Sequence, residues 1–235
     1  LEPTLLVQKI WAKIKTPLPK TTLPPRPPNA KEYTDDIERE ILEAMSHPRC
    51  VGWGEMGLDY HYDNSPREIQ RDVFARQLRH AVRLRKPLTI HTREADNDTE
   101  RILKEIVPKD HRIHIHCFTD TPEFAQHLLS HFLNLYIDIT GVITFTTNLN
   151  TAQVIRQVNP QPSTPSGLRI YMVPANIYAS LSSLSGNRLP LSHSAMIPWT
   201  ADFVSEVLKE GEADGWDSKK VLEVGRENAR KVYGV

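Results

Sequence analysis

The sequence predicts an α/β protein built on a parallel sheet, and three observations carry that prediction. Some segments repeat apolar residues at helical spacing and others are short β-branched runs. The two kinds alternate from about residue 37 to residue 145, the order that gives parallel strands with helices outside. The 235 residues also suffice for one large core, and such a length is routinely a single domain in α/β barrels. Alternation alone leaves open whether the sheet closes into a barrel or stays open.

The first thirty residues stand apart. EPTLLVQKIWAKI suits a short amphipathic helix, but KTPLPKTTLPPRPP is too dense in proline for a helix or central strand and reads as an extended linker. Residues 1–30 are therefore expected to be a poorly ordered segment and 31–235 the folded domain, with order beginning near Tyr33. Ile37, Ile41, Leu42 and Met45 recur at helical spacing in DDIEREILEAM. CVGWGEMGLDY, short, apolar and glycine-bearing, reads as a buried strand ending at Glu55 in a tight turn. In SPREIQRDVFARQLRHAVRLRK, Ser65 is the expected N-cap, Pro66 the first helical residue and Glu68 the partner in a capping box; Ile69, Val73, Leu78, Ala81 and Val82 form the apolar stripe.

KPLTIHTR then reads as a strand, TERILKEIV as a helix, RIHIHCF as a strand and TPEFAQHLLSHF as a helix. LYIDITGVITF is again a β-branched, strand-like run. The last third is less regular: IYASLSSLSGNRLPLSHS reads as loop, followed by helices over IPWTADFVSEVLKE and SKKVLEVGRENARKVYG. No repeat is evident beyond this strand–helix rhythm.

Composition narrows the function classes. Lys plus Arg and Asp plus Glu are 29 each, so no net positive field exists to hold a polyanion non-specifically, and any nucleic-acid contact must be local. Two cysteines, Cys50 and Cys117, stand outside any CxxC pattern, which argues against a disulfide framework and thiolate zinc or redox chemistry. No apolar run approaches the roughly 20 residues that span a bilayer, and the N-terminus lacks the order of a signal peptide. A soluble, monomeric, intracellular protein, cytoplasmic or nuclear, is expected. The chain opens on Leu1 rather than methionine, which suggests a true start further upstream.

In parallel sheets and barrels alike, sites form at the carboxyl ends of the strands. Three such ends carry ligand-type residues: Glu55 after VGWG, His91 after LTI and His116 after IHI. One carboxylate and two imidazoles converging on a common mouth would suit a divalent ion with room for water and substrate, a hydrolytic metal site. A lone histidine near a strand end is commonly a hydrogen-bonded structural residue, and the chain has ten histidines. One on each successive strand end is a stronger pattern.

His114 and His116 share a face by the two-residue strand period, but His114 is expected deeper, held by a neighbour's hydrogen bond. His61, His80, His127, His131 and His193 read as surface or helix-face residues. Asp59 has two open readings, orienting a histidine or stabilising a turn. Arg93 likewise would clamp a phosphate oxygen at the mouth or pair with Glu94 or Asp96.

GEMGLDYH, QRDVFARQL, KPLTIHTREA, IHCFTDTPEFA and ITGVITF, in that order and spacing, closely resemble the TatD family of metal-dependent deoxyribonucleases. YMVPANIY, RLPLSHSAMIPWTADFV and ENARKVYG look like its fungal branch, and the resemblance runs from about Asn29 to the C-terminus. It implies a (β/α)8 TIM barrel of amidohydrolase type in which two divalent ions, magnesium, manganese or zinc, serve the cleavage of phosphodiester bonds in DNA. It also implies that Glu55 is the shared catalytic carboxylate and that His91 and His116 are metal ligands, while His114 falls where the family usually has an apolar residue.

Two departures stand beside the match. The family's first strand carries His-x-His, to which nothing in LEPTLLVQKIWAKIKTP corresponds. The strand with a metal-binding, proton-accepting aspartate is also missing, because LRIYMVPAN passes from that strand's start to the sequence beyond it. The barrel is therefore expected to be incomplete and to hold at most one ion weakly. Residues omitted from the chain, a gene prediction that dropped coding segments, and a degenerate protein acting as an interaction module with a protein partner are the three explanations. The abrupt start and the seamless Ile170-Tyr171 junction favour the first two.

Overall fold

A computed structural model of the chain describes residues 30–144, 149–157, 170–173, 197–210 and 215–234. The expected N-terminal helix and proline-rich linker, and the loop expected over 177–194, lie outside the described residues.

Five strands lie side by side in chain order and run parallel: β1 (Trp53–Asp59), β2 (Leu88–Arg93), β3 (Arg112–Ile115), β4 (Asn134–Thr140) and β5 (Ile170–Val173). Helix α1 (Asp35–Met45) precedes β1. Then α2 (Arg67–Arg83), α3 (Asp96–Ile106) and α4 (Pro122–His131) link successive strands, α5 (Leu149–Gln157) lies between β4 and β5, and α6 (Ile197–Glu210) and α7 (Ser218–Tyr233) close the chain. Alternating parallel strands and flanking helices are the (β/α) barrel-type architecture that the sequence predicts, here an open five-stranded sheet among the described residues. None of the described helices is long and apolar enough to cross a membrane.

The two-residue strand period sorts the sheet into two faces. Leu88, Ile90, Ile113, Ile115, Leu135, Ile137 and Ile139 are buried on one face and join Phe74, Leu78, Leu103, Phe124 and Leu128 of the helices in a single apolar core. Capping fixes where helices begin: the side chains of Thr34, Thr121 and Asp217 accept the Ile37, Phe124 and Lys220 N–H groups at the starts of α1, α4 and α7.

Three local expectations need correction. β1 continues past Glu55 to Asp59, because its pairing with β2 resumes after a bulge and runs from Met56 to Asp59. Pro66, not Ser65, holds the N-cap of α2, and no side chain caps that end; the Ser65 hydroxyl instead accepts the Lys31 N–H at 3.2 Å. On α2 the fully buried positions are Gln70, Phe74, Leu78 and Ala81, with Ile69 and Val73 only partly covered. Helix α5 was not among the expected elements.

Gln70 is a polar residue on that buried face, and its partners explain it. Its Oε1 accepts the Asp59 N–H at 2.9 Å, and its Nε2 donates to the Asp59 carbonyl at 3.2 Å and the Ser65 carbonyl at 2.9 Å. The amide thus pairs with the end of β1 as a neighbouring strand would. Two turns on, Gln77 accepts the Trp53 indole N–H at 3.2 Å. Gln70→Ala would leave the buried N–H and carbonyl of Asp59 without these partners. It should cost about 2 kcal/mol or more, measured by urea denaturation; a loss below about 0.5 kcal/mol would show that the amide holds nothing at the strand end.

Candidate metal centre

Register brings the ligand-type residues together. Ile90 pairs with Ile115 and Ile115 with Ile137, so one residue further along, His91, His116 and Asp138 stand level on the opposite face. The His116 N–H donates to the Ile90 carbonyl at 2.8 Å and the Phe118 N–H to the Asp138 carbonyl at 3.2 Å, which carries the ladder through the strand ends. Gly57 is the partner of His91 on β1. A Cβ at Gly57, whose φ is 152°, would lie 1.8 Å from the His91 carbonyl oxygen, so only glycine allows this approach. Two residues back, Thr89, His114 and Tyr136 form a second level on the same face.

Glu55 and His91 meet, with Oε1 3.1 Å from Nδ1. The other ring nitrogen of His91 is 3.5 Å from Asp59 Oδ2, an ion pair rather than a close hydrogen bond. Asp59 Oδ1 accepts the His61 and Tyr62 N–H groups at 3.0 and 3.1 Å, so Asp59 fills both roles open to it, turn and histidine partner. Burial opposes a charge on His91, but the flanking carboxylates of Asp59 and Glu55 outweigh it and lift its pKa to about 9.

His116 turns to a different partner. Its Nδ1 lies 2.9 Å from Asp138 Oδ2, an oxygen that also accepts the Cys117 N–H at 3.1 Å. His114, buried as expected, places Nε2 3.9 Å from the same oxygen. Burial drives its pKa down to about 4 against the pull of Asp138, so its ring is neutral at physiological pH. For His116, burial is outweighed by Asp138 and then Glu55, and its pKa rises.

Ligand atoms of His114, His116 and Asp138 all lie within 4.8 Å of one another, the group able to hold a metal ion among the described residues. Two observations fit a cation there. Asp138 Oδ1 is buried and accepts no hydrogen bond, and two imidazoles with one carboxylate suit zinc or manganese. The expected ligands thus divide between a Glu55–His91 pair and a His116 cluster. The charge of Glu55 acts on His114, His116 and Cys117, so both groups occupy one mouth.

Asp138 is not among the expected site residues, because LYIDITGVITF reads only as a strand. The signal was there, as one carboxylate in an otherwise apolar, fully buried run needs a partner. Arg93 stacks its guanidinium 4.9 Å from the Tyr62 ring centre, while Glu94 pairs with His61 at 2.6 Å. His61 and His127 are exposed, and His80 and His131 lie on helices, half-covered; His193 lies outside the described residues.

A second unforeseen carboxyl sits on the rim after β3. Asp120 has a buried Oδ2 that accepts no hydrogen bond, and burial, then the nearby Asp96 charge, push its pKa from 3.8 up to about 7. Between those values the folded state holds a proton that the unfolded chain has released. Stability attributable to this group is therefore greatest below pH 4 and falls as pH rises to about 7. Asp120→Asn should be more stable than the parent at pH 8, by up to about 4 kcal/mol, with the gain vanishing near pH 4. Denaturant titrations at the two pH values check this, and a gain equal at both would refute it.

The profile of the family described as TatD related DNase matches residues 10–162, a span that holds Glu55, His91, His116 and Asp138. The human 3'-5' RNA nuclease TATDN2 is 40% identical over 159 residues, which is 67% of this chain and 21% of the human protein. The uncharacterized metal-dependent hydrolase YabD of Bacillus subtilis is 35% identical over 132 residues, 56% of this chain and 51% of its own length. The chain therefore spans about half or less of these relatives. Among solved structures, YjjV, a TatD homologue from Escherichia coli K12, superposes with a TM-score of 0.68 at 18% identity, covering 97% of this chain and 82% of that one, a likeness of fold. With the profile covering well over half of it, the chain belongs to the TatD family of metal-dependent hydrolases.

Proposed function

We propose that this protein is a metal-dependent nuclease that hydrolyses phosphodiester bonds in DNA. The observation that carries this is the His114, His116 and Asp138 cluster beside the Glu55–His91 pair on one face of the sheet, in a chain of a family described by its DNases. The similarity to a protein named as an RNA nuclease supports nucleic-acid phosphodiesters as the substrate class and makes RNA the first alternative to test.

A bound divalent ion would supply Lewis acidity and lower the pKa of water toward 7. His116, Asp138 and His114 would hold it. Glu55 and His91, the catalytic carboxylate and ligand implied by the family resemblance, would complete a second position if two ions bind. Arg93, on the same rim, would hold a non-bridging phosphate oxygen. With equal numbers of acidic and basic residues, affinity for DNA would come from this mouth and a few local cations, so binding would depend only weakly on salt. The fungal affiliation of the closing motifs, and the lack of counterparts to the first His-x-His strand and the acidic strand, belong to the same reading.

A second reading is a degenerate member that binds a protein partner without turnover. What favours it is β5, whose IYMV has no carboxylate. Single-stranded DNA, duplex DNA and RNA incubated with magnesium or manganese separate the two. The nuclease reading expects metal-dependent cleavage that falls by at least about 100-fold in Glu55→Ala and in Asp138→Asn. It also expects saturating ion to raise stability by about 3 kcal/mol at a hundred times Kd. Ion binding without cleavage of any of the three polymers would favour the interaction protein.

A further inference from the structure

The deeper level of the inner face contains a contact that the metal reading leaves unused. Tyr233, the last residue of α7, brings its hydroxyl 2.6 Å from His114 Nδ1 and 2.9 Å from Thr89 Oγ1. The ring stands edge-on to His114, with centroids 6.0 Å apart at 87°. It has room because residue 52 is glycine, where a Cβ would lie 3.0 Å from the ring. Gly234 follows in a left-handed conformation and caps the helix through the Arg230 carbonyl, so the helix stops where the tyrosine is needed.

The Tyr233 hydroxyl meets both His114 Nδ1 and Thr89 Oγ1, and the direction of the first of these bonds fixes the tautomer of His114. If Tyr233 donates to Nδ1, the imidazole proton is on Nε2, aimed at Asp138 Oδ2 across 3.9 Å, beyond hydrogen-bond length. If Nδ1–H donates to Tyr233 and Tyr233 donates to Thr89, both protons lie in hydrogen bonds and the Nε2 lone pair faces Asp138. A histidine binds a metal through a lone pair, and the bond made by its other nitrogen fixes which one is offered.

We propose that Tyr233 is a positioning residue for the metal cluster: its hydroxyl oxygen accepts a hydrogen bond from the Nδ1–H of His114, its own O–H donates to Thr89 Oγ1, and His114 Nε2 is thereby presented as a ligand. The proposal rests on the metal-binding reading above. It makes the C-terminal turn of the chain part of the ion site, although no atom of Tyr233 would touch the ion.

Nitrogen-15 NMR of histidine side chains in the metal-free full chain, with His114 assigned through His114→Gln, should show a proton on Nδ1. Calorimetric titration with zinc or manganese should then find Tyr233→Phe, which keeps the ring and loses the hydroxyl, binding about 10- to 100-fold more weakly than the parent. An Nε2-protonated His114 overturns the proposal whatever the variant does, as does a Tyr233→Phe protein that binds the ion as tightly as the parent. If the parent and His116→Ala bind no ion alike, the metal reading fails and this proposal with it. If the parent binds, His116→Ala does not and Tyr233→Phe is unchanged, only the tyrosine's role is lost.

Discussion

Parallel register is the constraint on which the rest of this structure depends. The strands align Ile90, Ile115 and Ile137, and the residues just beyond them, His91, His116 and Asp138, must then stand abreast on the other face. The apolar face seals against the helices and gathers the core. The opposite face collects imidazoles and carboxylates whose burial is tolerable only because each meets another. Asp138 shows this most clearly. It is fully buried, and one of its oxygens takes both the Cys117 N–H and the His116 ring.

The same face holds two histidines that titrate in opposite directions, and distance explains why. His91 has carboxylate oxygens at 3.1 and 3.5 Å on its two nitrogens, so attraction overcomes burial and the ring is held as a cation. His114 has the Asp138 carboxylate at 3.9 Å and lies deeper, so burial wins and the ring stays neutral. Two similar side chains in one mouth thus differ in charge, one closing an ion pair with Glu55 and the other standing as a neutral ring with Nε2 toward Asp138.

Much of this was legible in the sequence, and the omissions have physical causes. Helical spacing and short apolar or β-branched runs located five of the six helices after β1, all but α5, and four of the five strands, because burial of one face imposes those periods. Strand ends pointed to Glu55, His91 and His116, and the two-residue period put His114 behind His116, as found. What pairs with what was less accessible. His116 finds Asp138 across the sheet, and that depends on register between strands some twenty residues apart, which no period along the chain encodes. The Ser65 capping box failed for a related reason: the hydroxyl is occupied by Lys31, remote in sequence. Tyr233 reads as the end of an amphipathic helix until the fold brings it beneath His114.

Charge accounting connects the cluster to the proposed substrate. His114 is neutral and His91 is cationic at physiological pH, and the His91 charge offsets only one of the two carboxylates beside it, Glu55 and Asp59. As metal ligands both imidazoles of the His114, His116 and Asp138 cluster would be neutral, so the cluster would bring a single carboxylate to the ion. A divalent cation there would leave that cluster with an excess of positive charge to meet the one negative charge of a phosphodiester, whereas a wholly acidic site would stay neutral or repel it. Since the chain has no net charge to attract a polyanion from a distance, that local reversal of sign is the available electrostatic reason for a nucleic-acid backbone to settle on this face rather than elsewhere.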